Sequence, residues 1–149
     1  MTRFPSALLF EDHDCTRIIV GSQLADAGYA VEAHTSPRAV MERPDLASYL
    51  SQVKIVWTDG SMPDMHGTEA AVTLRENGYD GLIILYSGDS PSSFLKYQRP
   101  DFIAGKWRGP IFDAIHAKPM ALDELEGIIS NLRSYAPVRE AKTIYTTHK

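Results

Sequence analysis

Five short apolar runs, at residues 7–10, 29–34, 55–59, 82–86 and 111–117, alternate along this chain with segments of helical period. That alternation restricts the fold more than any single residue does. Strands this rich in Ile, Leu and Val suit the interior of a parallel sheet covered on both faces, and the segments between them supply the covering helices. In such a sheet every strand runs the same way, so the turns that follow the strands share one edge. Open α/β sheets bind ligands at that edge.

Each intervening segment carries its own start and stop signals. Asp14 is placed to cap a helix over 16–27, with Ile19, Val20, Leu24 and Ala27 recurring near helical spacing and Gly28 as the stop. Ser36 and Pro37 open a short helix that Pro44 closes. Asp45 then precedes a second short helix with Leu46, Tyr49, Leu50 and Val53 on its inner face. A helix over 68–77 presents Ala71, Val72 and Leu74 inward and stops at Gly78. Ser90 and Pro91 begin another through Phe94 and Leu95, and Leu122, Leu125, Ile128, Ile129 and Leu132 make the last amphipathic helix. Residues 101–110, with Gly105, Trp107 and Gly109, show no period and read as an irregular excursion.

The chain of 149 residues is long enough for one domain with a real core. Its 44% hydrophobic and 23% charged composition is that of a soluble globular protein, and a net charge of -4 argues against general affinity for nucleic acid. A single cysteine, Cys15, forms no internal disulfide and reads as a small, half-buried structural residue, so the cytoplasm is the expected compartment. No stretch has the length of a signal peptide or a membrane span.

Four turns deliver polar groups to the shared edge: Glu11 and Asp12, then Asp59, then Ser87, then Lys118. Taken alone, Asp59 reads as a turn residue, since Gly60, Pro63 and Gly67 forbid the strand from continuing. The combination says more. Like charges a few ångströms apart cost on the order of 1 kcal/mol per pair in water and several at a half-buried site, so three converging carboxylates call for a cation. Hard oxygen ligands favour Mg²⁺, or Mn²⁺, over zinc. A carboxylate-held metal, a lysine and a hydroxyl together describe a phosphoryl-binding site, with Asp59 as nucleophile and an acyl phosphate as product.

The chain from about residue 7 to 132 resembles the receiver domains of bacterial two-component response regulators. The likeness rests on Glu11-Asp12 after an apolar strand, Asp59 followed by Met62-Pro63 and Gly67, Ser87 followed by Gly88, and Lys118-Pro119, all in family order. It implies a flavodoxin-like (βα)5 doubly wound parallel sheet, phosphorylation of Asp59 by a histidine kinase or histidine phosphotransfer protein, and output by contact with a downstream protein. It also implies that Asp12, Asp59 and the Ser61 backbone carbonyl bind Mg²⁺ directly and that Glu11 acts through metal-bound water. Ser87 would take one phosphoryl oxygen, Lys118 another, and the Lys118-Pro119 bond would be cis.

Departures from the family pattern localise the remaining questions. The position three before the lysine, usually aromatic, is Ile115, with Phe112 nearby as a core residue; His66 stands where the loop usually has Asp. Asp89 and Ser61, each two residues beyond a site residue, flank the expected phosphoryl position and are expected to influence its lifetime. His13, His66 and His116 lack the spacing of a transition-metal site. The segment between Ser87 and Lys118 is longer than usual, an insertion of about 96–110 with Lys96, Arg99, Lys106 and Arg108 against Asp101. It reads either as a solvated insertion or as a docking surface anchored by Tyr97, Phe102 and Trp107.

The receiver is assigned to 1–133 and a C-terminal tail to 134–149, the tail too short for a DNA-binding or catalytic output domain and expected to pack against the domain or a neighbouring copy, with a homodimer as one outcome. Two other readings compete. One is a phosphorylation-independent pseudo-receiver, suggested by Ile115. The other is a small phosphohydrolase with an Asp nucleophile, disfavoured because Ser61 occupies the place of its acid/base.

Overall fold

The computed structural model describes residues 4–132; the tail assigned to 134–149 lies outside them. In chain order the elements are β1 (Ala7–Phe10), α1 (Asp14–Asp26), β2 (Val31–His34), α2 (Arg38–Met41), α3 (Leu46–Leu50), β3 (Ile55–Asp59), α4 (Gly67–Glu76), β4 (Leu82–Ser87), a 3₁₀ helix (Pro91–Gln98), β5 (Ile103–Ala104), β6 (Trp107–Arg108), β7 (Ala114–Ala117) and α5 (Leu122–Ser130). Five of the strands form a parallel sheet in the order β2-β1-β3-β4-β7, the flavodoxin-like arrangement expected from the alternation of elements.

Strand periodicity divides the core. Leu8, Phe10, Val56, Ile83 and Leu85 point to one face, where they meet Val40, Tyr49, Ala71, Leu74, Phe94 and Phe112. Leu9, Ile55, Trp57, Ile84 and Tyr86 point to the other and meet Val20, Leu24, Leu125 and Ile129. Each fully buried Leu or Ile contributes about 1.5–3 kcal/mol relative to exposure, so β1, β3 and β4, buried along their whole lengths, hold the centre of the sheet.

Several local expectations are corrected. The cap of α1 is His13, whose Nδ1 accepts from the Thr16 N–H at 3.4 Å, because Asp14 is drawn to Arg17 at 2.6 Å. Val20 and Leu24 set the buried stripe of α1, which leaves Ile19 exposed along with Ile18 and Cys15. Leu122 at the start of α5 is exposed for the same reason of phase. Asp45 makes no cap bond; its carboxylate accepts from Nε and Nη2 of Arg43.

The largest correction concerns residues 91–110. The helix after β4 is a 3₁₀ helix, and the excursion is a β-hairpin pairing Ile103 with Arg108 and Ala104 with Trp107. Tyr97, Phe102 and Trp107 are partly buried and pack against the core. The hairpin is fixed by a buried arginine on α4. Arg75 gives Nε and Nη2 to the Ile111 carbonyl, Nη1 to the Tyr79 and Gly81 carbonyls, and Nη2 to Asp113 at 3.2 Å. Its guanidinium lies 3.8 Å from the centre of the Trp107 ring. Asp113 accepts in turn from the Ile83 N–H, which ties the segment to the start of β4.

Candidate active site

Each polar residue at the carboxyl edge is placed by the end of a strand. Glu11 and Asp12 follow β1, Asp59 and Ser87 are the last residues of β3 and β4, and Lys118 follows β7. The Lys118 N–H donates to the Ser87 carbonyl at 2.9 Å, so the strand ends are locked in register. The structure brings all five together.

Carboxylate oxygens of Glu11, Asp12 and Asp59 lie within 4.8 Å of one another, with Asp12 exposed and the other two buried. Lys118 Nζ reaches Glu11 Oε1 at 3.0 Å and Asp59 Oδ1 at 3.3 Å. Asp59 Oδ1 also accepts from the Gly60 N–H at 2.7 Å. Glu11 Oε2 accepts from the His13 N–H at 3.1 Å. Ser87 Oγ accepts from the Asp89 N–H at 3.1 Å, while the Asp89 residue itself is exposed, as is Ser61.

One lysine does not offset three acids. Burial, more than any other influence, pushes Glu11 above its ordinary 4.5, and the nearby Asp59 charge adds to it, against the opposing pull of Lys118 and the His13 N–H. Burial draws Lys118 down, yet its contacts with Glu11 and Asp59 outweigh that and hold it above its usual value, so it stays an ammonium at neutral pH. The surplus negative charge and the hard oxygen donors suit a divalent cation of the Mg²⁺ kind.

Two glycines that read in the sequence only as strand breakers have a tighter role. A Cβ on Gly67 would stand 2.1 Å from the Asp59 carbonyl oxygen, and the Gly67 N–H donates to the Gly60 carbonyl at 3.0 Å. A Cβ on Gly60 would stand 2.6 Å from Ser87 Oγ and 3.6 Å from Phe94 Cζ. Both must lack a side chain for the loop to fold back over β3. The sequence shows the glycines and hides their neighbours. Arg17, which donates from Nη1 to the Glu11 carbonyl at 3.1 Å, also went unread.

The other expectations resolve directly. The Lys118-Pro119 bond is cis. Phe112 is a buried core aromatic set edge-to-face against Phe94. Ile115 is half-buried and packs against the cluster that holds both rings. His66 is exposed at the start of α4 and makes no cap bond. Among the described residues, Glu11, Asp12 and Asp59 form the one group of His, Cys, Asp or Glu with metal-binding spacing, and His13, His66 and His116 do not join it. Burial lowers the pKa of His116. Among the described residues no helix is long and apolar enough to cross a membrane.

Comparison with known proteins follows the same lines. A search of curated proteins gives no match. The structure shares its fold with the receiver domain of Francisella response regulator 1452, at 17% identity and a TM-score of 0.64, covering 88% of this chain and 98% of that one. It is similar to the response regulator TrrA from Thermotoga maritima, solved in complex with Mg²⁺ and BeF, at 20% identity and a TM-score of 0.62, covering 85% and 96%. The receiver domain of a sensor histidine kinase from Pseudomonas aeruginosa, with a magnesium ion coordinated in its active site cleft, matches at 20% identity and a TM-score of 0.61, covering 89% and 99%. A family model described as the response regulator receiver domain matches residues 7–100, more than half of the chain and ending just before the hairpin. This chain therefore belongs to the receiver domain family of two-component signalling.

Proposed function

We propose that Asp59 accepts a phosphoryl group from the phosphohistidine of a histidine kinase or phosphotransfer protein and that the phosphorylated domain signals by protein contact. The observation that carries this reading is the convergence of three carboxylates, Lys118 and the Ser87 hydroxyl on one sheet edge. An Asp59 oxygen forms a new O–P bond as the donor's N–P bond breaks. The electron pair of that bond stays on the imidazole nitrogen, which leaves neutral when the other ring nitrogen is protonated. The Gly60 N–H and Lys118 orient Asp59 through Oδ1. Lys118 pairs with one phosphoryl oxygen and the Ser87 hydroxyl donates to another, which draws Ser87 toward Asp59.

The donor set of Glu11, Asp12 and Asp59 fits Mg²⁺ or Mn²⁺; Asp12, Asp59 and the Ser61 carbonyl would hold it directly, and Glu11 would act through water. Such a cation, when bound, neutralises charge on the transferring group. Output then depends on residues that respond to Ser87. A second reading, a binding module that switches without phosphate, is favoured by the aliphatic Ile115 in the usual aromatic position.

Incubation with acetyl phosphate and Mg²⁺, followed by intact mass, separates the readings. The expected result is one added phosphoryl group on the wild type and none on Asp59→Asn. Absence of the adduct, with acetyl phosphate and with a kinase donor alike, leaves the pseudo-receiver. Steady release of phosphate from unrelated monoesters points to a hydrolase instead.

A further inference from the structure

Ile115 packs against the core cluster that contains two aromatic rings, Phe94 from the 3₁₀ helix and Phe112 from the segment before β7, whose centres lie 6.2 Å apart at an interplanar angle of 78°. Phe94 is 5% exposed, and its Cζ stands on the same side of the Gly60 α-carbon as Ser87 Oγ, at 3.6 Å and 2.6 Å from the point a Cβ would occupy. The absent side chain of Gly60 therefore lets the switch hydroxyl and the ring tip share one small space. The β7 residue packed against this core cluster, Ile115, is aliphatic.

From Phe94 the contacts lead outward to the insertion. Phe112 is pinned by the Gln98 side chain, whose Nε2 donates to the Phe112 carbonyl and whose Oε1 accepts from the Phe112 N–H, both at 2.8 Å. The preceding Ile111 N–H donates to the Tyr97 carbonyl at 2.8 Å. The Ile111 carbonyl is held by the Arg75 guanidinium, against which the Trp107 ring of the hairpin is stacked. Phe112, Gln98, Ile111, Arg75 and Trp107 thus form a packed series ending in β6. A core this dense transmits a displacement at one end to its neighbours.

We infer that Phe94 supplies the aromatic coupling that β7 lacks, carrying the movement of Ser87 through Phe112 to the β5–β6 hairpin, which is the output element of this domain. The inference rests on the reading of Asp59 as phosphoacceptor. When Ser87 moves toward the phosphoryl group, the space it shares with Phe94 over Gly60 changes shape and the ring follows. Phe112 turns with its edge-to-face partner, and the Arg75-held hairpin resets. Ile115 is a bystander in this route.

The test is hydrogen–deuterium exchange of the full chain with and without acetyl phosphate in Mg²⁺, with phosphoryl occupancy read by intact mass on the same samples. In the wild type, phosphorylation is expected to change uptake across residues 91–112. Phe94→Leu and Phe112→Leu are expected to reach the same occupancy and to lose the change over residues 102–112, whereas Ile115→Val keeps it. Circular dichroism checks that each variant folds, and the milder Phe94→Met replaces Phe94→Leu if that one does not. Retention of the hairpin response in a folded, phosphorylated Phe94 variant overturns the inference, as does a phosphorylated wild type with no response at 91–112. A wild type that takes no phosphoryl group overturns the reading of Asp59, and this inference with it.

Discussion

Glu11 shows how a single position trades stability for chemistry. It is 1% exposed, carries a pKa raised mainly by burial, and sits against another acid. A carboxyl whose folded pKa is raised favours the folded state below its unfolded value, and that contribution is lost as the pH climbs through the folded value. In metal-free protein the contribution of Glu11 to stability is therefore expected to fall from pH 4.5 upward through its raised folded pKa, and Glu11→Gln to remove that part of the pH dependence. Urea midpoints measured across that range in chelator check it; an unchanged pH slope in the variant contradicts it. Gly67→Ala sets a Cβ against the Asp59 carbonyl, so it is expected to cost about 1–3 kcal/mol in urea unfolding and to reduce phosphorylation of Asp59. Unaltered stability would show that the loop relaxes freely. At this scale the sequence was informative wherever a residue ends an apolar run, as Asp59 and Ser87 do. It was silent where the reason for a residue is a neighbour brought by the fold, as with Gly60 beneath Ser87 and Arg17 beside Glu11.

The elements between β4 and β7 depart most from expectation, and the reasons are physical. Strands of two residues leave no alternation to read, and the 3₁₀ helix repeats every three residues over too short a span to be told from an α-helix. Arg75 had no signal at all, since a charged residue on a helix is normally solvated and its buried partners are backbone carbonyls 4, 6 and 36 residues away. Removing it takes the guanidinium donors from the Ile111 carbonyl and from Asp113. Arg75→Met is expected to destabilise by about 3–5 kcal/mol, read from the urea midpoint, and to raise exchange in the hairpin. Arg75→Lys is expected to recover only part of that, because an ammonium lacks the planar fork and the stacking surface offered to Trp107. Full recovery by lysine would mean that charge alone holds the hairpin.

Across the whole molecule, the alternation of strands and helices was enough to foresee the parallel sheet, and the sheet was enough to gather the site. Glu11 and Lys118 stand 107 residues apart in the chain and 3.0 Å apart in space, a meeting that parallel strand ends impose. The same geometry concentrates negative charge that a cation relieves. Mg²⁺ at about ten times its dissociation constant is expected to stabilise the fold by about 1.4 kcal/mol, seen as a higher Tm than in chelator. Asp12→Asn, at an exposed position, is expected to remove most of that gain without lowering the Tm in chelator. The central claim is an acyl phosphate on Asp59, and borohydride tests it chemically, since it reduces an aspartyl phosphate to homoserine. After treatment with acetyl phosphate and Mg²⁺, the tryptic peptide 55–75 should carry homoserine at position 59. Homoserine at another aspartate, or at none while the chain is otherwise folded, would contradict the account.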